Sequence, residues 1–97
     1  MKTMPDVQQI LRNTKSDLQK RFGVTGIGIF GSLVREEATT ASDIDILVEF
    51  DKPVSFFSFL RLEDHLEQLL GGNVDLVEKD ALKPTIGKRI LQEVIYI

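Results

Sequence analysis

The segment at residues 43–50, DIDILVEF, constrains the fold more than any other stretch of the chain. Its alternation is that of a β-strand, in which residues two apart share a face. Ile44, Ile46 and Val48 face one way, while Asp43 and Asp45 stand side by side on the other. Aspartate is depleted within strands, so two at this spacing need a reason. Unit charges about 4 Å apart repel by about 4 kcal/mol at an effective dielectric of 20. A pair that stays ionised calls for a compensating cation, and a bound divalent metal supplies one.

The rest of the chain supplies partners for that strand. Residues 5–22 read as a helix, with Val7, Leu11, Leu18 and Phe22 on one face, Pro5 and Asp6 in the first turn and Gly23 as C-cap. Residues 24–30 alternate as a strand, Ile27 and Ile29 on one side, Gly26 and Gly28 on the other. A glycine face marks a close approach to the backbone. One helical turn is expected at 32–36, and Pro53 closes the second strand. A helix at 55–70 carries a broad apolar stripe (Phe56, Phe59, Leu62, Leu66, Leu69) and ends at Gly71-Gly72. A third strand at 73–77 has Val74 and Leu76 inward and Asp75 outward. A last helix begins near Pro84, with Leu82, Ile86, Ile90 and Val94 every four residues.

A long helix between the second and third strands makes them parallel by crossover, while the Gly-Ser loop makes the first two antiparallel. The expected fold is α/β (α+β): one domain over residues 1–97, a small mixed sheet with helices packed on one face and the carboxylates on the other. Gly31, Ser32, Asp43, Asp45 and Asp75 then converge on one rim.

Twelve Lys/Arg are dispersed among fifteen Asp/Glu, for a net charge of −3. That balance argues against direct contact with a nucleic-acid backbone, which favours a basic face. With no cysteine, thiolate metal sites and disulfides are excluded. The N-terminus lacks the apolar core of a signal peptide, and no run approaches a membrane span, so a cytoplasmic location without membrane association is expected.

An all-oxygen ligand set suits magnesium, with manganese as the alternative, rather than zinc. Two such ions can clamp the attacking and leaving oxygens of an in-line displacement. Asp43 and Asp45 are the expected bridging ligands. Asp75 is expected to hold the ion beside the nucleophile and to help accept its proton. Gly31 lets the backbone close on phosphate, and Ser32 opens a turn whose amides favour an anion. For Arg35 two readings stay open, contact with nucleotide phosphates or pairing with Glu36, Glu37 or Asp43.

The run GSLVREEATTASDIDILVEF, followed by VDLV and ALKP, resembles the minimal nucleotidyltransferase (MNT) family of the DNA polymerase beta superfamily. The similarity extends from the first helix to the closing EVIYI. It implies the nucleotidyltransferase fold, Gly31 and Ser32 as the family's nucleotide-binding pair, Asp43 and Asp45 as its metal carboxylates and Asp75 as its third. Glu36 stands where the family's ARGEA segment has glycine. Many such proteins resemble the antitoxin of HEPN/MNT toxin–antitoxin pairs, which use ATP to attach AMP to a tyrosine of the HEPN ribonuclease. The expected activity is therefore AMP transfer from ATP to a HEPN-type toxin partner, with hetero-oligomer formation. Two alternatives remain: a non-catalytic antitoxin acting by occlusion, and nucleotidyl transfer to a small hydroxylated compound.

Other residues have plainer readings. Phe56, Phe57 and Phe59 are expected in the core, although Phe57 lies off the centre of the stripe, where a partner surface is the alternative reading. His65 reads as a surface residue. Lys88 and Arg89 read first as a solvated helix face, with contact to the triphosphate as the alternative, and Tyr96 as packing, with acceptance of AMP as the alternative.

Overall fold

A computed structural model describes residues 2–97. Helix α1 (Met4–Phe22) starts with Thr3 as N-cap, in a reciprocal capping box with Asp6, and stops at Gly23, whose φ of 72° gives a left-handed cap. Strand β1 (Val24–Phe30) follows, then a single 3-10 turn (Gly31–Leu33), β2 (Ile44–Phe50), α2 (Phe56–Leu70), β3 (Val74–Glu78), a second 3-10 turn (Lys79–Ala81), α3 (Pro84–Glu93) and β4 (Ile95–Tyr96).

The sheet order is β3-β2-β1-β4. Strand β1 pairs antiparallel with β2 and β4, and β2 pairs parallel with β3. The mixed sheet and its crossover are those expected. Strand β4, only two residues long, was not foreseen, since so short a run has no readable period. Among the described residues, no helix is long and apolar enough to cross a membrane.

One face of the sheet forms a dry core. Val7, Leu11 and Leu18 of α1 and Leu62, Leu66 and Leu70 of α2 pack with Ile27, Ile29, Ile46, Val48, Val74 and Leu76. Each fully buried leucine or isoleucine here contributes about 1.5–3 kcal/mol by leaving water. The edge strand β3 is also protected. Glu67 accepts the Val74 amide at 2.9 Å and Glu63 the Leu76 amide at 3.3 Å. Two carboxylates one helical turn apart thus satisfy edge amides that could template association with another chain.

The last helix departs from the expectation of helices on one face alone. Helix α3 packs on the opposite side, where Ile90 meets Phe30 and Leu47, with Val77, Leu82 and Val94 around them. The reason is that β1 and β2 carry apolar side chains on both faces, and the second set also needs cover. Phe56 and Phe57 differ as well: they are 69% and 70% exposed rather than core. Strand β3 is the sheet's edge, so no further strand lies beneath the first turn of α2. Tyr96, in the edge strand β4, is likewise exposed rather than packed.

Candidate functional site

The site forms where β1 leaves the sheet and β2 and β3 enter it. In the parallel ladder Asp45 is the register partner of Asp75. Paired residues on adjacent strands point to the same side, with backbones about 4.8 Å apart. Asp43 precedes β2 by one residue and shares the face of Asp45. Asp43 and Asp75 are exposed and Asp45 is half-buried. Across the antiparallel ladder Asp45 faces Phe30, the last residue before the Gly-Ser turn.

These neighbours change the chemistry of Asp45. Burial, then the charges of Asp75 and Asp43, push its carboxyl up to about 6, against the pull of the nearby Ser32 amide and Arg35. The three carboxylates therefore act on one another, and the cost falls on the half-buried one. That is the electrostatic state a cation offsets. Among the described residues, no three acidic or imidazole side chains already close into an ion-binding cluster. Magnesium requires less, since one or two carboxylates hold it while water and phosphate oxygens complete the shell. The donor set fits such an ion.

Gly31 is fixed by the same carboxylate. Its φ is 78°, and a Cβ built there would run into the Asp45 carboxylate. Only glycine meets both demands. The turn that follows is tightly closed: Val34 and Arg35 donate to the Gly31 carbonyl, Glu36 to that of Leu33, and Glu37 to that of Ser32 at 2.9 Å. This is a Schellman-type closure with Glu36 at the left-handed position, φ 60°. The glutamate that replaces the family's glycine thus occupies a backbone conformation that favours glycine. Its neighbours hold the turn closed nonetheless.

Arg35 pairs rather than standing free. Its Nε donates to Glu37 at 3.1 Å and its Nη1 to both oxygens of Glu93, at 2.8 and 3.1 Å. The sequence reading allowed for Glu37 but missed Glu93, which is 58 residues away and gives no local signal. Glu93 also accepts the Gly31 amide at 2.8 Å. Arg35 and Gly31 hold its carboxyl below the ordinary range, against the opposing effect of burial.

Of the remaining candidates, Arg89 lies near enough to the rim for its charge to help lower the Glu93 carboxyl. His65 stacks on Phe22, with ring centroids 5.4 Å apart. Lys88 and Arg89 are exposed on α3. A cleft of about 380 Å³ is lined by Asp43 together with Thr39, Ser42, Leu70 and Asn73; Asp45 and Asp75 do not line it.

Comparison with known proteins agrees with the geometry. The nucleotidyltransferase domain model matches residues 11–97. Protein adenylyltransferase MntA of Thermococcus cleftensis is 50% identical over 97 residues, which is all of this chain and 98% of that protein. A solved structure described as a minimal nucleotidyltransferase is 33% identical, with a TM-score of 0.74, over 92% of this chain and 93% of its own. The MNT antitoxin of Shewanella oneidensis, solved in complex with a tri-AMPylated HEPN toxin, shares the fold at 22% identity and a TM-score of 0.67, over 92% of this chain and 70% of its own. The chain belongs to the nucleotidyltransferase domain family, in its minimal form.

Proposed function

We propose that this nucleotidyltransferase moves AMP from ATP to a tyrosine hydroxyl of a HEPN-type toxin partner, releasing pyrophosphate and acting as antitoxin. The observation that carries the reading is the Asp45–Asp75 register pair with Asp43 beside it, under a glycine whose added Cβ would collide with the Asp45 carboxylate. The adenylyltransferase name of the half-identical relative and the AMPylated toxin in the Shewanella complex support the choice of donor and partner.

Asp43 and Asp45 would hold magnesium ions, with Asp75 as a further ligand. When bound, the metal neutralises phosphate charge and draws electron density from the phosphorus under attack. The chain's own residues do the rest by position. The Gly31-Ser32 backbone gives the triphosphate a close approach to the carboxylate rim. Asp75, exposed on the edge strand β3, would take the proton that the tyrosine loses as its oxygen bonds to the α-phosphorus. Pyrophosphate leaves as the bond from the α-phosphorus to the bridging oxygen breaks.

Incubation of the protein with labelled ATP, magnesium and its co-expressed neighbour tests this directly. The expected result is one or more adenylyl groups on a neighbour tyrosine, seen by intact mass and peptide mapping. Neutralisation of the neighbour without label incorporation would replace the reading with occlusion. Label on a small hydroxylated acceptor alone would replace the partner.

A further inference from the structure

We propose that Glu93, at the C-terminal end of α3, is a positioning residue for nucleotidyl transfer: one carboxylate sets both the Gly31 backbone and the Arg35 guanidinium. The inference rests on the nucleotidyl-transfer reading above and extends it to a residue outside the Gly-Ser and Asp-x-Asp segments.

The sequence prepares this contact far upstream. Gly28 has no side chain, and a Cβ there would lie 2.6 Å from Cγ2 of Val94. The junction of α3 and β4 can therefore settle directly on the β1 backbone, where Ile95 and Tyr96 pair with Ile29 and Gly28. That docking brings Glu93 to the end of β1. The close approach that the glycine face announced is thus made by the chain's own C-terminal segment.

From there Glu93 makes three contacts with two groups. Oε2 accepts the Gly31 amide at 2.8 Å, and Oε1 and Oε2 take Nη1 of Arg35 at 2.8 and 3.1 Å. The side chain of Glu93 is only 19% exposed and that of Arg35 39% exposed. Hydrogen bonds to an ionised carboxylate are stronger than neutral ones; the bond to the Gly31 amide is part-buried, while the bonds to Arg35 are exposed and worth less. Gly31 is the residue whose backbone lies against the Asp45 carboxylate. A shift of Glu93 is therefore a shift of the surface that meets the triphosphate. Arg35 is held at Nε by Glu37 and at Nη1 by Glu93, so its Nη2 is directed by its two neighbours. Nη2 makes no hydrogen bond among the described residues, which leaves it to take a phosphate oxygen. Displacements of about 1 Å in such a frame are enough to cost about a hundredfold in rate.

The test compares Glu93→Gln and Glu93→Ala with wild type. Melting temperature, kcat and KM for ATP with magnesium, and the Gly31 amide proton shift are measured for each. Glutamine keeps an acceptor for Gly31 but gives up the ionic bond to Arg35. The expected result is a KM for ATP raised about tenfold, with kcat changed less than threefold and the Gly31 amide nearly unmoved. Alanine releases both groups, so kcat also falls about tenfold and the Gly31 amide moves upfield. If both folded variants keep wild-type kcat and KM while only the melting temperature falls, Glu93 is structural and the proposal is overturned. If wild-type protein incorporates no label under any condition, the transfer reading fails and takes the catalytic half of the proposal with it. In that case a Gly31 amide shift in Glu93→Ala still establishes the clamp, and an unmoved amide removes it.

Discussion

The two faces of the sheet are built on opposite principles. The α1–α2 face is dry and apolar, and the amides at its edge are satisfied by Glu63 and Glu67. The α3 face has a smaller apolar cluster and gives its rim to three carboxylates, one of them pushed up to about 6, and to the turn that carries Glu36, the one non-glycine residue at positive φ among the described residues. Stability is concentrated on one face, while electrostatic repulsion and backbone strain are concentrated on the other. Functional rims are where such costs persist, because the surrounding structure over-determines them.

Substitutions on either side should separate the two kinds of effect. The largest belongs to the rim: Asp43→Asn or Asp45→Asn should lower transfer by about 10³-fold or more while the fold survives, checked by label incorporation alongside circular dichroism. Wild-type turnover in either variant would remove the metal assignment. On the dry face, Leu66→Ala should cost about 2–5 kcal/mol in urea unfolding, because Leu66 is fully buried in the main core. Activity per folded molecule should change little.

Smaller effects sharpen the contrast. Burial and the charges of Asp75 and Asp43 push the Asp45 carboxyl up to about 6 in the folded protein, above the roughly 3.9 of an unfolded aspartate. Between these values the folded state holds its proton more tightly, so the metal-free protein loses stability as pH rises from about 4 through 6. Solvent at the half-exposed carboxyl screens the effect, leaving about 1 kcal/mol. Asp45→Asn should therefore be more stable than wild type by about that amount at pH 7 and equal to it near pH 4. A variant no more stable at pH 7 would show that the three carboxylates do not burden the fold. Smallest of all, Glu36→Gly should stabilise by about 0.5 kcal/mol, since glycine meets no Cβ penalty at φ 60° but adds chain entropy to the unfolded state. A lower melting temperature for Glu36→Gly would mean that the glutamate side chain holds the turn.

What could be read from the sequence follows from range and period. Asp43 and Asp45 were legible because a two-residue period puts them on one face, and Asp75 because α2 is long enough to bring β3 alongside. Gly31 was legible as a place of close approach, though not as one shaped by Asp45 itself. The departure at Glu36 was visible, but its meaning was not. It marks the left-handed residue of a turn whose closure depends on bonds between residues 32 and 37. Glu93 was invisible because nothing local distinguishes one glutamate on an amphipathic helix from another. Its role comes from Gly28 admitting Val94, a packing event that pattern reading does not reach. Phe56 and Phe57 misled for a related reason: an apolar stripe says which side of a helix seeks cover, not how far the covering sheet extends.

The central claim is that Asp43, Asp45 and Asp75 form a rim that holds nucleotide through divalent ions. Calorimetric titration of a non-hydrolysable ATP analogue, with and without magnesium, tests it most directly. The account predicts that wild-type protein binds the analogue only when magnesium is present and that Asp45→Asn loses this binding while melting no lower than wild type. Equal affinity with and without magnesium, or full affinity in Asp45→Asn, would contradict it.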